Sequence, residues 1–131
     1  MLIVETALKE FQNKGIGLVS VHAIPKGTFV YEDNPFFDIL VSKEQVDSME
    51  KVPRDFIEEH CSYSRKRNGY WVCVDNARFL NHSATPNLEW LSDIHKYITA
   101  RNISAGEEMT CDYRKFDDLS GDGDLGFEVS E

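Results

Sequence analysis

The chain has 131 residues, 23 Asp and Glu against 14 Lys and Arg for a formal charge of −9, and a hydrophobic fraction of 41%. That is one domain's worth of chain with enough apolar residues to build a core, which sets wholesale disorder aside; no apolar run approaches the roughly 18 residues of a bilayer span. A surface of this sign repels phosphate backbones and attracts cations, so direct nucleic-acid binding is disfavoured and a basic protein or peptide partner favoured, with no membrane role expected.

The opening, Met1-Leu2-Ile3-Val4-Glu5, lacks the basic, apolar and small-residue succession of an export signal. An intracellular protein is expected, cytoplasmic in a bacterium or nuclear in a eukaryote. Short strand patterns run over Leu2 to Glu5, Ile16 to Val21, Thr28 to Tyr31, Phe36 to Val41, Tyr70 to Val74, Lys96 to Ala100 and Glu108 to Cys111. Turn signals such as Pro25-Lys26-Gly27, Asn68-Gly69, Thr85-Pro86-Asn87 and Ser104-Ala105-Gly106 separate them. One helical island extends from Ser42 to about Cys61. Ser42 is the predicted N-cap, with Gln45 at capping-box spacing, and Pro53 is predicted to break the island into two short helices. The second, Arg54 to Cys61, turns Phe56 and Ile57 one way and Glu58 and Glu59 another. The expected fold class is mainly β with a helical insert, built as small packed sheets or a partly closed barrel rather than a parallel βαβ sheet.

Cys61, Cys73 and Cys111 are odd in number and widely spaced, which fits neither a disulfide framework nor a paired zinc site; they read as free thiols. The last fifteen residues hold Asp117, Asp118, Asp122, Asp124, Glu128 and Glu131 with no Lys or Arg. Such a run is either a solvated tail or a surface that steers a basic partner.

Three segments stand out from ordinary core and turn. Gly15-Ile16-Gly17 places two glycines at the mouth of a strand, where backbone can approach a ligand closely; it lacks the third glycine and following helix of a dinucleotide fingerprint. The run from Arg78 to Asn87, RFLNHSATPN, gathers Asn, His, Ser and Thr around a proline, otherwise readable as a loop of Asx and Ser/Thr turns. The run from Gly106 to Tyr113, GEEMTCDY, is a turn and a short strand that ends in tyrosine.

In this order and spacing the three segments resemble the SET-domain lysine methyltransferases, whose members carry GxG, RFxNHSxxPN and GEELTxDY or GEEMTxDY. The resemblance covers roughly Gly15 to Phe116 and is strongest to small stand-alone SET proteins of bacterial type. It implies a SET domain over 1–116, with the helical insert at about 42–61 and a C-terminal pseudoknot, followed by an acidic tail over 117–131. It also implies methyl transfer from S-adenosyl-L-methionine to a lysine side chain of a protein substrate, a basic or histone-like one on the charge argument. By the same resemblance Gly15, Ile16, Gly17, Asn81 and His82 hold the cofactor, Tyr113 is catalytic, and Tyr63 lines both the cofactor site and the lysine channel. The rival reading is a SET-fold module that binds basic peptides without catalysis.

The chain departs from many relatives in having no cysteine after Cys111, so a zinc-binding post-SET segment, and any metal, is not expected. Phe116 or Phe127 would then wall the lysine channel. Cys111 stands where many relatives have a bulky aromatic, and the smaller side chain leaves room for methylation beyond the first methyl group. His60, Cys61, His82 and Cys111 lack the spacing of a thiol protease or metal centre, and His22 and His95 read as ordinary structural histidines.

Overall fold

The computed structural model describes residues 1–65 and 67–115. In chain order its elements are β1 (Thr6–Phe11), β2 (Gly15–Ser20), β3 (Phe29–Glu32), β4 (Asp38–Ser42), α1 (Lys43–Asp47), α2 (Lys51–His60), β5 (Ser62–Ser64), β6 (Gly69–Cys73), β7 (Asn81–His82), β8 (Leu88–Leu91), β9 (Lys96–Thr99) and β10 (Thr110–Cys111), with 3-10 turns at Asn76–Phe79 and Tyr113–Lys115. The mainly β class and the small sheets agree with the sequence reading.

β1 and β2 pair as an antiparallel hairpin, with Phe11 opposite Gly15 and Thr6 opposite Ser20. The turn uses left-handed backbone at Asn13 (φ 72°) and Gly15 (φ 77°), residue types that bear it at little steric cost. The strand expected at Leu2 to Glu5 is absent. Leu2 makes a single bridge to Tyr31, and the strand begins at Thr6, where the side chains are mostly exposed and leave no alternation to read.

β3, β9 and β8 form an antiparallel sheet in that order, with a bulge between Phe29 and Tyr31. β4, β6 and β5 form another. Ser42 is opposite Gly69 there, and a Cβ on Gly69 would come within 2.7 Å of the Val41 carbonyl oxygen. The helices lie between β4 and β5. Ser42 caps α1 as expected: its Oγ accepts from the Gln45 amide at 3.1 Å, and its own amide donates to Gln45 Oε1 at 3.0 Å. Pro53 does not divide the island. It sits in the first turn of α2, where its missing N–H would have had no helical partner, and the break falls upstream at Ser48 to Glu50. Ile57 faces inward while Phe56 stays largely exposed against His60.

The core joins the first two sheets to the chain's return. Leu18, Val30, Leu88, Ile103 and Met109 are each 2% exposed or less, and the Tyr97 ring packs against Tyr31 and Trp90 at centroid distances of 5.7 and 4.8 Å. After β9 the chain runs back along the free edge of β2. Ile24 and Ile103 exchange amide hydrogen bonds at 2.8 Å, the Ser20 amide donates to the Glu107 carbonyl at 3.1 Å, and the Met109 amide donates to the Leu18 carbonyl at 2.8 Å.

Asn87 ties this returning segment down. It is 1% exposed, its Nδ2 donates to the Glu108 carbonyl at 2.8 Å and to Glu107 Oε2 at 3.0 Å, and its Oδ1 accepts from the Thr110 amide at 2.8 Å. A side chain that satisfies several buried groups costs much to remove, because each is left without a partner. Asn87→Ala is expected to lower stability by about 2–4 kcal/mol, read as a fall in urea midpoint with an unchanged slope. A shift within experimental error would show that the clamp is dispensable.

Candidate functional site

The residues of the three motifs meet where β7 and β10 lie side by side. Asp75 starts the approach by accepting from the Ala77 amide at 3.0 Å and the Leu2 amide at 2.8 Å, which fixes the short turn at Asn76–Phe79. Leu80 buries its side chain in the core, so the chain emerges with Asn81 and His82 extended. They pair in parallel with Thr110 and Cys111, and the Ser83 amide donates to the Cys111 carbonyl at 2.9 Å. Tyr113 follows at once. Its amide donates to His82 Nδ1 at 3.2 Å and its hydroxyl to the Leu80 carbonyl at 2.5 Å, with the two rings 5.4 Å apart between centroids. Both ends of the tyrosine are thus held by residues 80–82.

Gly15, Ile16 and Gly17 are the first three residues of β2, inside the strand rather than before it. A Cβ on Gly17 would lie 3.0 Å from Asn81 Nδ2, 2.9 Å from the Phe11 ring and closer still to Glu108 Oε2. Only glycine allows so near an approach. Through that gap Asn81 Nδ2 donates to the Ile16 carbonyl at 3.2 Å and to Glu108 Oε2 at 2.8 Å. Glu108 Oε1 pairs with Lys14 Nζ at 3.0 Å. The isolated bridge between Val19 and Glu108 sets this carboxylate beside the glycines.

His82 accepts at Nδ1, so in the neutral ring Nε2 carries the hydrogen. Nε2 is buried, with no hydrogen-bond partner among the described residues. Asp112 lies 3.6 Å from Nδ1, but its carboxylate is held by the fork of Arg114 at 2.8 and 2.9 Å. That hydrogen-bonded guanidinium holds the Asp112 carboxyl below the ordinary range against the opposing effect of burial. Burial pushes the Tyr113 phenol well above its ordinary value, with Cys111 and Glu108 adding to the shift. Tyr113 therefore remains a neutral hydroxyl. Its hydroxyl hydrogen is spent on the Leu80 carbonyl.

Gly15 to Gly17, Asn81, His82 and Tyr113 are brought together. Cys111 adjoins them in sequence but is 1% exposed and part of the core cluster. Burial is the main reason its thiol is pushed up to about 12, with the hydroxyl of Tyr97 pulling the other way. Tyr63 belongs to the β4–β6–β5 sheet, with its hydroxyl on Asn68 Oδ1 at 2.8 Å and its ring 5.0 Å from Tyr70. Phe116, Phe127 and the acidic stretch 117–131 lie outside the described residues. Among the described residues no three His, Cys, Asp or Glu side chains gather as a metal site requires. Sequence reasoning passed over three participants. Glu108 lies within GEEMTCDY and Lys14 just before the glycine pair, and both look like solvated charges until the strands pair; Leu80 takes part through its carbonyl, which no side-chain pattern reports.

Comparison with known proteins agrees with this arrangement. The model of the SET domain matches residues 15–114. A histone-lysine N-methyltransferase, H3 lysine-36 specific, of Mycosarcoma maydis is 28% identical over 119 residues, 84% of this chain and 12% of that protein. A protein of Acanthamoeba polyphaga mimivirus named as containing a SET domain is 38% identical over 55 residues, 40% of this chain and 21% of its own length. This chain thus spans only a small part of both curated relatives. Among solved structures, a humanized mutant of the Chaetomium thermophilum Polycomb Repressive Complex 2 bound to the inhibitor GSK126 superposes with a TM-score of 0.62 at 22% identity, over 89% of this chain and 16% of that one. An apo form of the complex with two Ezh2 substitutions gives 0.64 at the same identity and coverages. With 100 consecutive residues matched, and the glycine pair, the Asn-His pair and the tyrosine gathered at one place, the chain belongs to the SET domain family.

Proposed function

We propose that the chain is a protein-lysine N-methyltransferase that uses S-adenosyl-L-methionine. The observation that carries this reading is the meeting of the three motifs at hydrogen-bond distance: the Asn81 amide on the carbonyl of Ile16 at 3.2 Å, and the Tyr113 hydroxyl on Leu80 at 2.5 Å.

The residues present fit the cofactor. Asn81 keeps its amide oxygen for a ligand, and His82 Nε2 is a buried donor that a ligand acceptor would satisfy, while the bare Gly17 lets Asn81, Glu108 and Phe11 close in on β2 and so sets where Asn81 lies. When bound, S-adenosyl-L-methionine supplies an electrophilic methyl group on a positively charged sulfur. The chain's own part is binding, alignment and control of the lysine proton. A lysine amine with its ordinary pKa near 10.4 costs about 4.6 kcal/mol to deprotonate at pH 7, at about 1.36 kcal/mol per unit, and only the neutral amine is nucleophilic. Enclosure in a low-dielectric channel lowers that cost by penalising the ammonium. The neutral Tyr113 oxygen, its hydrogen already committed, acts as an acceptor that orients the amine N–H and polarised C–H groups. Holding the reactants in line then replaces an entropically costly encounter.

The −9 charge supports a basic protein substrate, histone-like tails included, because it raises the local concentration of cationic segments at low salt. Incubation with methyl-labelled cofactor and a panel of basic proteins is expected to place label on lysine. Failure to bind the cofactor at all would overturn the reading.

Tyr113→Phe should cut single-turnover methyl transfer by about a hundredfold or more while leaving cofactor affinity within about threefold, as expected for a group acting in the transition state; near wild-type turnover would remove Tyr113 from the chemistry. Gly17→Ala should weaken cofactor binding by about tenfold or more by pushing Glu108, Phe11 and Asn81 away from β2, and unchanged affinity in calorimetry would show that the close approach at Gly17 does not shape the site. Although Cys111 is buried in the core, it stands two residues before Tyr113 where many relatives have a bulky aromatic, and mass spectrometry after exhaustive reaction is expected to find dimethyl- or trimethyl-lysine. Monomethyl-lysine alone would refute the assignment of extra room to Cys111.

A further inference from the structure

We propose that the apolar patch of Phe36, Phe37, Ile39 and Val74 is an exosite, a surface outside the reaction site on which the basic protein substrate docks through an apolar segment flanked by Lys or Arg. That the docked partner is the substrate rests on the proposed function; the surface itself does not.

Where β4 begins and β6 ends, the usual alternation of a half-buried sheet is reversed. Such strands turn apolar side chains inward and polar ones to water. Here the inward positions hold Asp38, which is buried, and Cys73 opposite it. The Tyr31 hydroxyl donates to Asp38 Oδ1 at 2.6 Å, and the Cys73 thiol donates to the same oxygen at 3.4 Å. The other face carries the apolar residues. The Val74 amide donates to the Phe37 carbonyl at 2.8 Å, and Ile39 follows two residues on, opposite Val72. Phe37, Ile39 and Val74 are 37%, 44% and 51% exposed.

Phe36 stands further out, at 82% exposed, on a turn that is firmly held. Asn34 Oδ1 accepts from the Phe36 amide at 2.9 Å, and the Asn34 carbonyl accepts from the amides of Phe37 at 3.0 Å and Asp38 at 2.8 Å. The Asn34 amide donates to Asp38 Oδ2 at 2.9 Å, and Pro35 fixes one more dihedral. An aromatic ring presented by so ordered a turn loses little conformational freedom on being covered, which is what an interface anchor requires.

Size and charge select the occupant. The four side chains leave roughly 400 Å² of apolar surface open, the scale of a functional patch on a monomer and about half of the ~800 Å² that each partner buries in a stable interface. A second copy would also set −9 against −9. Both terms disfavour a stable dimer and suit a transient partner. Residues 32–39 and 72–76, which hold the patch, include Glu32, Asp33, Asp38 and Asp75 and no Lys or Arg. Against these four carboxylates stand the Met1 amino group, 2.8 Å from Asp38, and Lys96, 3.8 Å from Glu32, with His95 3.1 Å from Asp33. The surroundings stay negative, and an apolar centre with an acidic rim complements an apolar segment with basic flanks. Val74 lies four residues along the chain from Tyr70, the partner of Tyr63, or roughly 13 Å of strand. Docking there would raise the local concentration of the acceptor lysine without entering the chemistry.

Calorimetry and amide chemical shifts of the intact protein with two lysine-free peptides of equal charge test the surface. One peptide carries Leu-Phe-Leu between pairs of arginines, the other Ser-Gly-Ser. The first should bind about tenfold or more tightly than the second, shift Phe36, Phe37, Ile39 and Val74, and weaken with salt. Phe36→Ser, or Val74→Ser should the first variant fold poorly, should bring the two peptides to equal affinity. With a basic protein that the labelled-cofactor panel identifies as acceptor, Phe36→Ser should raise KM by about tenfold and leave kcat unchanged. Equal binding of both peptides by the unsubstituted protein, or shifts confined to other residues, would overturn the surface. An unchanged KM would overturn the exosite while methyl transfer stands, and absence of methyl transfer to every basic protein would remove the proposed function and the substrate role together. A concentration-dependent dimer that Phe36→Ser abolishes, or a clearly lower urea midpoint in that variant, would give the face to a second copy or to the chain's own residues and overturn the proposal.

Discussion

Everything in the site depends on two residues of parallel strand. Asn81 and His82 lie beside Thr110 and Cys111, and through that pair segments nearly thirty positions apart in the chain become one surface. So short a ladder contributes few hydrogen bonds of its own, and the stability of the crossing comes from what surrounds it. Asn87 stitches the returning segment from within the core, the β2 edge receives residues 106–109 from the other side, and Tyr113 closes the arrangement by bonding to Leu80 and His82. Because these ties reach both strands, loosening any of them would move the tyrosine relative to the asparagine. The residues that build the crossing and the residues proposed for chemistry are therefore largely the same stretch of chain.

The polarity of the site follows from how few hydrogens are left over. Tyr113 spends its hydroxyl hydrogen on a carbonyl and stays neutral because it is buried; Asn81 spends both amide hydrogens on acceptors; His82 accepts at Nδ1 and keeps a buried N–H. Among the described residues this leaves one buried N–H at His82 beside the acceptor oxygen of Asn81. Such a surface fits the proposed methyl transfer, in which alignment and the charge of the amine matter more than proton abstraction. With a basic substrate as proposed, the net charge of −9 would act at longer range and on encounter, where salt screens it, while the hydrogen bonds would act at contact.

How much of this was legible in the sequence depended on which kind of group carried the information. Side-chain motifs were readable: RFLNHSATPN and GEEMTCDY identify the family because their residues are used together, and the model covers the same stretch. Ser42 and Gln45 announced their capping box through local spacing alone. Backbone roles were not readable. Leu80 acts through its carbonyl, and nothing in a leucine marks that oxygen. β1 was missed because an exposed strand has no alternation, and Pro53 misled because its effect depends on where in a helix it falls. Glu108 and Lys14 looked like two of many surface charges until pairing across the sheet set them beside Asn81. Tyr63, assigned by a looser motif than the others, bonds to Asn68 in the turn before β6 and packs its ring on Tyr70 of its own sheet.

The central claim is that Gly15 to Gly17, Asn81 to His82 and Tyr113 form a single cofactor-binding surface. Titration of isotopically labelled protein with S-adenosylhomocysteine, followed by amide chemical shifts, tests it most directly. The largest shifts should fall together on Gly15, Gly17, Asn81, His82 and Tyr113 and saturate along one binding curve. Shifts confined to other parts of the chain, or separate curves for the three segments, would contradict it.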